Sequence, residues 1–212
     1  MNIQIPALLA IFLATSATAA DTLSNTDDGL VLIKVKNVDR AYQRPGASLK
    51  GYTGVVIRPV TVAFSKNWKP RDYGAFGMKS EEVERIRSDL AKTASDTFAR
   101  VLSKRGYTIA AAPGPNVLEV QMEIVDLYVN GPDSDGSFNR TYVRSAGEMR
   151  LLVTLRDSVT GSTLYRTSDF ERGDETGPLQ WATRVFNRVE AERTFAGWAL
   201  QLVKALDAAK QN

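Results

Sequence analysis

The stretch LEVQMEI (residues 118–124) carries the clearest structural signal in the chain, because its apolar and polar side chains alternate without a break. Successive side chains of a β-strand point to opposite faces, so this pattern predicts a strand with one buried face and one solvent-facing side. After Ile124 the alternation slips, since Val125, Leu127 and Val129 become the apolar set. One extra residue in a strand produces such a slip, and we therefore expect a β-bulge there.

Segments on both sides of this stretch also favour β-structure. Residues 149–155 alternate in the same way, and the turn sequence DSVTG (residues 157–161) predicts a hairpin that returns the chain through residues 164–172. Further strands are expected at residues 31–36, 53–64 and 107–112. The first of these is expected at a sheet edge, and Pro59 favours an edge or a bulge near it.

Two segments have the spacing of amphipathic helices. The first begins at Ser80, which we expect to cap it, and ends at Gly106. The second is expected to contain Pro178 in its first turn. Its predicted apolar stripe consists of Ala182, Val185, Phe186, Val189, Ala196, Ala199, Leu202, Val203 and Leu206.

These elements predict an α+β fold. We expect a mostly antiparallel sheet of four to five strands with two amphipathic helices on one face, in the order β-α-β-β-β-β-α. We expect a single α+β domain at residues 53–212, preceded by an N-terminal extended segment at residues 21–52. The opposite face of the sheet is expected to carry side chains that form cross-strand ion pairs: Glu119, Glu123, Arg150 and Arg156.

Residues 1–20 have the pattern of a cleaved signal peptide. An apolar run at residues 5–14 precedes Ala17-Thr-Ala19, which is the small-x-small sequence that a signal peptidase requires. A membrane anchor is the alternative, but spanning a bilayer takes about 20 apolar residues. We expect the cleaved protein to be periplasmic or secreted and to have no transmembrane segment. Peripheral association of this protein with the envelope is an alternative within that expectation.

The chain contains no histidine and no cysteine, which excludes most catalytic and metal-binding arrangements. We therefore expect a non-catalytic protein with no cofactor and no metal. A carboxylate-dependent hydrolase of envelope glycans is one alternative, because glycosidases use only acidic residues. The candidate acids are Asp169, Glu171, Asp174 and Glu175, for which a solvated acidic turn is the favoured interpretation.

Residues 31–79 contain ten basic side chains and only two acidic ones, Asp39 and Asp72. The simpler interpretation is that these cations pair with acids of later elements in the fold. The functional interpretation is a loop that binds an envelope protein or an anionic lipid or glycan, with nucleic acid not expected. The candidate binding residues in this loop are Lys66, Trp68, Lys69, Arg71, Tyr73 and Phe76.

Four stretches carry a resemblance to a known family. They are RPGASLKGYTGVVIRPVTVAFSKNW (44–68), RGYTIAAAPGPNVLEVQMEIVDL (105–127), SAGEMRLLVTLRDSVTGSTLYR (145–166) and FAGWALQLVKALD (195–207). The chain resembles the bacterial domain of unknown function 3313, a group of exported, lipoprotein-like envelope proteins. The resemblance implies export but supplies no activity and no catalytic residues. The chain lacks the lipid-bearing cysteine of lipoproteins.

These observations predict a binding or scaffolding module of the cell envelope. A small-ligand or lipid binder is the other alternative. It requires an apolar pocket of about 300 Å³ or more between the helices and the sheet.

Overall fold

The computed structural model describes residues 28–73, 77–131, 142–173, 179–181 and 183–211. The expected signal peptide at residues 1–20, the candidate loop residue Phe76 and the expected helix start at Pro178 lie outside the described residues.

The described residues form ten strands and two long helices. The strands are β1 (Val31–Ile33), β2 (Arg40–Gln43), β3 (Gly54–Ile57), β4 (Thr61–Phe64), β5 (Thr108–Ile109), β6 (Val117–Val129), β7 (Tyr142–Val143), β8 (Gly147–Asp157), β9 (Thr163–Arg172) and β10 (Gln180–Trp181). The helices are α1 (Ser80–Lys104) and α2 (Arg184–Gln211), and a short 3-10 turn spans Pro70–Asp72. β7 and β10 pair with each other, and the other eight strands form one sheet.

β6, which contains the alternating stretch, lies inside this sheet. One of its edges pairs antiparallel with β8, which continues through the predicted hairpin into β9. Its other edge pairs in parallel with β3 and then with β4. The α+β class with two helices is confirmed, and most of the pairing in the described sheet is antiparallel, but the expected number of four to five strands is too small. The described sheet has eight strands and is mixed, because α1 carries the chain back so that β5 and β6 run in the direction of β3.

The segment predicted as one strand at residues 53–64 is divided at Pro59. β3 pairs with the beginning of β6 and β4 pairs with its second half, so both lie along the same edge. Proline has no amide proton to donate to a neighbouring strand, which accounts for the interruption between them. The irregularity expected near Pro59 is therefore confirmed.

The expected bulge after Ile124 is also present. The register of β6 against β8 shifts between Val125 and Tyr128. Asp126 within this interval has a φ of 54°, which is the left-handed region that non-glycine residues seldom occupy. The extra residue therefore changes which side chains of β6 face the core.

Two strands come from the segment that precedes residue 53. β2 pairs antiparallel with β9, and β1 pairs antiparallel with β2. β1 is the outermost strand on that side of the sheet, which agrees with the edge strand predicted at residues 31–36. Part of the predicted extended segment at residues 21–52 thus enlarges the sheet.

α1 agrees with its predicted length, but its cap differs. Lys79 holds the N-cap position instead of Ser80, and the buried Glu82 carboxylate accepts the Lys79 backbone N–H at 2.8 Å. The acid satisfies a donor at the positive end of the helix, so a capping serine is not needed. Gly106, with a φ of 84°, follows the last turn as predicted.

α2 begins at Arg184, later than predicted, and residues 180–181 belong to β10. Two members of its predicted apolar stripe are exposed, Val185 by 72% and Val189 by 50%. The helix becomes buried only from Ala191 onward, where it packs into the common core. That core also contains Phe98 and Leu102 of α1 and the inward face of β6, which places both helices on one face of the sheet.

The opposite face of the sheet is polar and carries ion pairs. Glu119 of β6 lies 3.3 Å from Arg156 of β8 and 2.6 Å from Arg58. Of the expected cross-strand ion pairs, the one between Glu119 and Arg156 is confirmed, whereas Arg150 lies 3.8 Å from Asp39 and 3.8 Å from Asp126 instead. Arg58 is one cation of residues 31–79 that neutralises a later acid. Neither α1 nor α2, as far as the structure describes the chain, combines the length and apolar character needed to span a bilayer.

Candidate functional site

A cavity of about 460 Å³ lies between the second half of α2 and the sheet. Its floor is formed by β8 and β9, whose facing residues are paired in register: Leu151 with Asp169, Val153 with Thr167, and Leu155 with Tyr165. Because side chains alternate along a strand, these six residues share the face covered by the helices. Ala41 of β2 and the connection at residues 47–50 close one side.

The walls of this cavity are mainly apolar, and small residues of α2 leave the space open. Ala205, Ala208 and Ala209 line the cavity from the helix, together with Leu202 and Trp198. Each alanine contributes only a methyl group where a larger side chain would fill the volume. Ala205 is exposed to solvent and therefore lies at the mouth of the cavity.

Asp169 is the acidic side chain in this apolar surface. Its Oδ2 accepts the indole N–H of Trp198 at 2.6 Å, and its Oδ1 accepts the backbone N–H of Asp39 at 3.3 Å. Burial raises the pKa of Asp169 above its ordinary value, although the bond from Trp198 opposes that shift. The carboxylate is thus held in place by neutral donors inside a poorly solvated site.

The remaining polar groups of the cavity are neutral or exposed. The Tyr165 hydroxyl donates to the Ala47 carbonyl oxygen at 3.3 Å, and burial raises the pKa of Tyr165. Thr167 and Gln201 supply further hydrogen-bonding groups, and Lys50 lies exposed at the cavity lining. A pocket with apolar walls and a few convergent polar groups is typical of small-molecule sites.

The two described aromatic residues of the candidate binding loop, Trp68 and Tyr73, face the protein interior. Trp68 is only 5% exposed and stacks on Phe64 with ring centroids 4.2 Å apart. Its indole N–H donates to the Val129 carbonyl oxygen at 3.1 Å, and the Tyr73 hydroxyl donates to the same oxygen at 2.9 Å. Trp68 and Tyr73 therefore anchor the loop to the end of β6.

The basic residues of the same loop point outward. Lys66, Lys69 and Arg71 are exposed, and Arg71 lies 3.8 Å from the exposed Asp72 carboxylate. None of these three residues lines the cavity under α2. The loop predicted from sequence is therefore separate from the cavity under α2.

The two described acids that were considered for hydrolysis line different cavities. Asp169 lines the cavity under α2, whereas Glu171 lines a larger cleft of about 810 Å³ between α1, the first half of α2 and the ends of β6 and β8. Asp174 and Glu175 lie outside the described residues. Many residues of the larger cleft are charged, including Arg85, Asp89, Lys92, Asp96, Arg100, Glu148, Arg188, Glu190 and Glu192.

The sequence contained two signals that would have pointed to the cavity. Tyr165, Thr167 and Asp169 occupy inward positions of a strand whose partner presents leucine and valine there. Alanines replace larger side chains near the end of the α2 stripe. Polar inward positions opposite small helical residues indicate incomplete packing.

These features define an α+β protein with a helix-covered sheet and an apolar cavity beneath one helix. The chain belongs to the family described as protein of unknown function DUF3313, whose model matches residues 33–202. The resemblance noted from the four sequence stretches is therefore confirmed. Among curated proteins, no sequence matches the chain significantly.

Several solved structures are similar to parts of the fold. A PelC dodecamer from Paraburkholderia phytofirmans shares 11% identity over 76% of this chain and 95% of that chain, with a TM-score of 0.39. Protein XCC0632 from Xanthomonas campestris shares 13% identity over 80% of this chain and 92% of that chain, with a TM-score of 0.37. A minor lipoprotein from Acinetobacter baumannii shares 10% identity over 71% of this chain and 92% of that chain, with a TM-score of 0.30.

Proposed function

We propose that this protein is a non-catalytic binding module of the cell envelope that holds a small apolar or amphipathic molecule under α2. The observation that carries this proposal is the cavity of about 460 Å³, with its aliphatic walls and few polar groups. Its size falls in the range of about 300–1,000 Å³ that ligand pockets occupy. The solvent-exposed mouth at Ala205 gives a ligand a route of entry.

Export to the envelope is part of the proposal. The apolar run at residues 5–14, followed by Ala17-Thr-Ala19, supports a cleaved signal peptide. The resemblance to exported envelope proteins supports the same location. An exported binder of apolar molecules is chemically consistent with an environment rich in lipid.

The arrangement of acids favours binding over glycan hydrolysis. Glycosidases need two carboxyl groups about 5–9.5 Å apart across one cleft. Of the candidate acids, the two that the structure describes, Asp169 and Glu171, line different cavities, and Asp169 already accepts the Trp198 indole N–H. Binding requires only that these groups orient a ligand.

A neutral fluorescent probe tests the proposal directly. N-phenyl-1-naphthylamine emits strongly only in apolar surroundings, so its titration into the purified protein is expected to give a saturable rise in emission. Emission from Trp198 is expected to change in parallel, because this residue lines the cavity. Absence of saturable probe binding would contradict the proposed function.

Blocking the mouth of the cavity locates the bound probe. Ala205→Phe is expected to weaken probe binding by at least about tenfold, because the phenyl ring occupies space that the ligand needs. Ala112→Phe is the matched control, since Ala112 is equally exposed but lies outside the cavity lining. Equal probe affinity of the two variants would place the probe elsewhere.

A peripheral contact with an anionic surface is the second candidate function. Lys66, Lys69 and Arg71 are exposed on a loop that the buried Trp68 fixes in place, so their charges are held together at low entropic cost. The test is reversal of these three charges, which should strongly weaken binding to anionic vesicles.

A further inference from the structure

We propose that the cavity under α2 prefers an amphiphile whose polar end is a cation, such as a long-chain primary amine, with Asp169 as its counter-charge. This inference rests on the proposed function and adds the chemical class of the ligand.

The first step is that Asp169 is not paired with a cation. Its hydrogen-bond donors are neutral: the Trp198 indole N–H, the Asp39 backbone N–H and the Gln201 side-chain amide. Among the described residues, no lysine or arginine lies within ion-pair distance of its carboxylate. A carboxylate has about four acceptor positions, so it can accept further hydrogen bonds.

The second step concerns the charges around the cavity. Glu171 follows Asp169 on the same face of β9, and Asp39 lies beside it at the strand edge. The Asp39 carboxylate accepts the Phe170 N–H at 3.0 Å and lies 3.8 Å from Arg150. Lys50 is the lysine at the cavity lining, and it is exposed.

The third step is the effect of these charges on a ligand. Burial disfavours the charged form of Asp169, because the carboxylate loses contact with water. A cation placed beside the carboxylate stabilises this charged form again. An anionic head group in the same place meets the Asp169 carboxylate and is also repelled by the nearby carboxylates of Asp39 and Glu171, which lie outside the cavity lining. Like charges in a poorly solvated site repel strongly, whereas an ammonium group donates hydrogen bonds to the carboxylate.

Three ligands with the same chain separate the contribution of the head group. Dodecylamine and dodecanoate below their micelle concentrations, and dodecanol below its solubility limit, are used at neutral pH to displace N-phenyl-1-naphthylamine from the wild-type protein. The expected order of affinity is amine, alcohol, carboxylate, with at least about tenfold between the first and the last. Added salt is expected to weaken displacement by the amine but not by the alcohol.

Substitution of the carboxylate assigns the preference to Asp169. Asp169→Asn is expected to reduce the affinity for dodecylamine to that for dodecanol, because the neutral amide offers no counter-charge to the ammonium group. The control is Asp126→Asn, which removes an exposed acid outside the cavity lining. That control is expected to leave all three ligands unaffected.

The outcomes distinguish this inference from the proposed function. Saturable probe binding with equal displacement by the amine and the carboxylate would overturn the cation preference and leave the binding function intact. A preference for dodecanoate in the wild-type protein would also overturn it, whether or not the variant folds. Absence of probe binding would overturn both.

Discussion

Asp157 and Asp169 show how two identical side chains acquire opposite ionisation behaviour in one hairpin. The Asp157 carboxylate accepts the Thr160 backbone N–H at 2.7 Å, the Val159 N–H at 3.1 Å and the Tyr52 hydroxyl at 2.8 Å. These bonds, above all the one from the Thr160 backbone, lower the pKa of Asp157. Burial instead raises the pKa of Asp169.

Removal of each charge is therefore expected to have opposite effects on stability. Near pH 7, Asp169→Asn is expected to raise the free energy of unfolding, because folding no longer buries a charge and the amide oxygen still accepts the Trp198 N–H. Below about pH 4, the ordinary pKa of aspartate, Asp169 is protonated in both states and the gain disappears. Urea unfolding at several pH values measures the change.

Asp157→Asn is the counterpart in the same experiment. A lowered pKa in the folded protein stabilises it above the ordinary pKa, so the variant is expected to be less stable near pH 7. The loss of stability caused by Asp157→Asn becomes smaller only when the pH falls through the lowered pKa that Asp157 has in the folded protein. If Asp169→Asn and Asp157→Asn both raised, or both lowered, the free energy of unfolding at neutral pH, the environments assigned to these two carboxylates would be contradicted.

At the scale of single elements, the bulge in β6 depends on a glycine in its partner strand. Gly147 of β8 pairs with Val129 and has a φ of 145°. A Cβ at this position would overlap the Tyr128 carbonyl. The close backbone approach beside the bulge therefore requires the absence of a side chain.

Gly147→Ala is expected to lower the free energy of unfolding by about 2–4 kcal/mol, because it adds a backbone clash to an unfavourable φ. Gly161→Ala is the control, since Gly161 also has a positive φ, 69°, but nothing lies within 4 Å of an added Cβ. This control is expected to cost about 1 kcal/mol. Urea unfolding compares the two, and equal losses would show that the clash is relieved by local movement.

The helices and strands that could be predicted from the sequence are those with a clear local pattern of residues. α1, the bulge of β6 and the hairpin between β8 and β9 were predicted, because each has a local pattern of side chains or turn residues. β2 was missed, because Arg40–Gln43 is too short to show the alternation of apolar and polar residues that indicates a strand. Its strand conformation depends on its pairing with β9. The parallel pairing of β3 and β4 was missed because it depends on the path of α1.

At the scale of the whole molecule, the candidate site was harder to predict than the fold. The cavity brings together residues from β2, β8, β9, α2 and the connection at 47–50, which are far apart in sequence. The sequence instead identified the aromatic and basic loop, whose composition is local. Trp68 in that loop is a core residue, as large aromatics often are.

The outward charges of that loop yield a prediction for the intact protein. Combined reversal of Lys66, Lys69 and Arg71 to glutamate is expected to weaken binding to anionic vesicles by about 100-fold, since each basic residue contributes about 1 kcal/mol near a charged surface. Vesicle sedimentation measures the binding.

The control for this experiment reverses Lys34, Lys36 and Lys104, which are also exposed but lie outside the loop. It changes the net charge by the same amount. If both triple variants lose binding equally, the attraction depends on overall charge and not on the loop.

The outer strands of the sheet are short, and this affects how copies of the protein meet. β1 has three residues, β4 has four and β5 has two, so these described strands offer few free amides and carbonyls along their edges. Growth of fibrils requires a long run of such groups on which a second chain can add. At high concentration the folded protein is therefore expected to resist amyloid-like polymerisation through these strands.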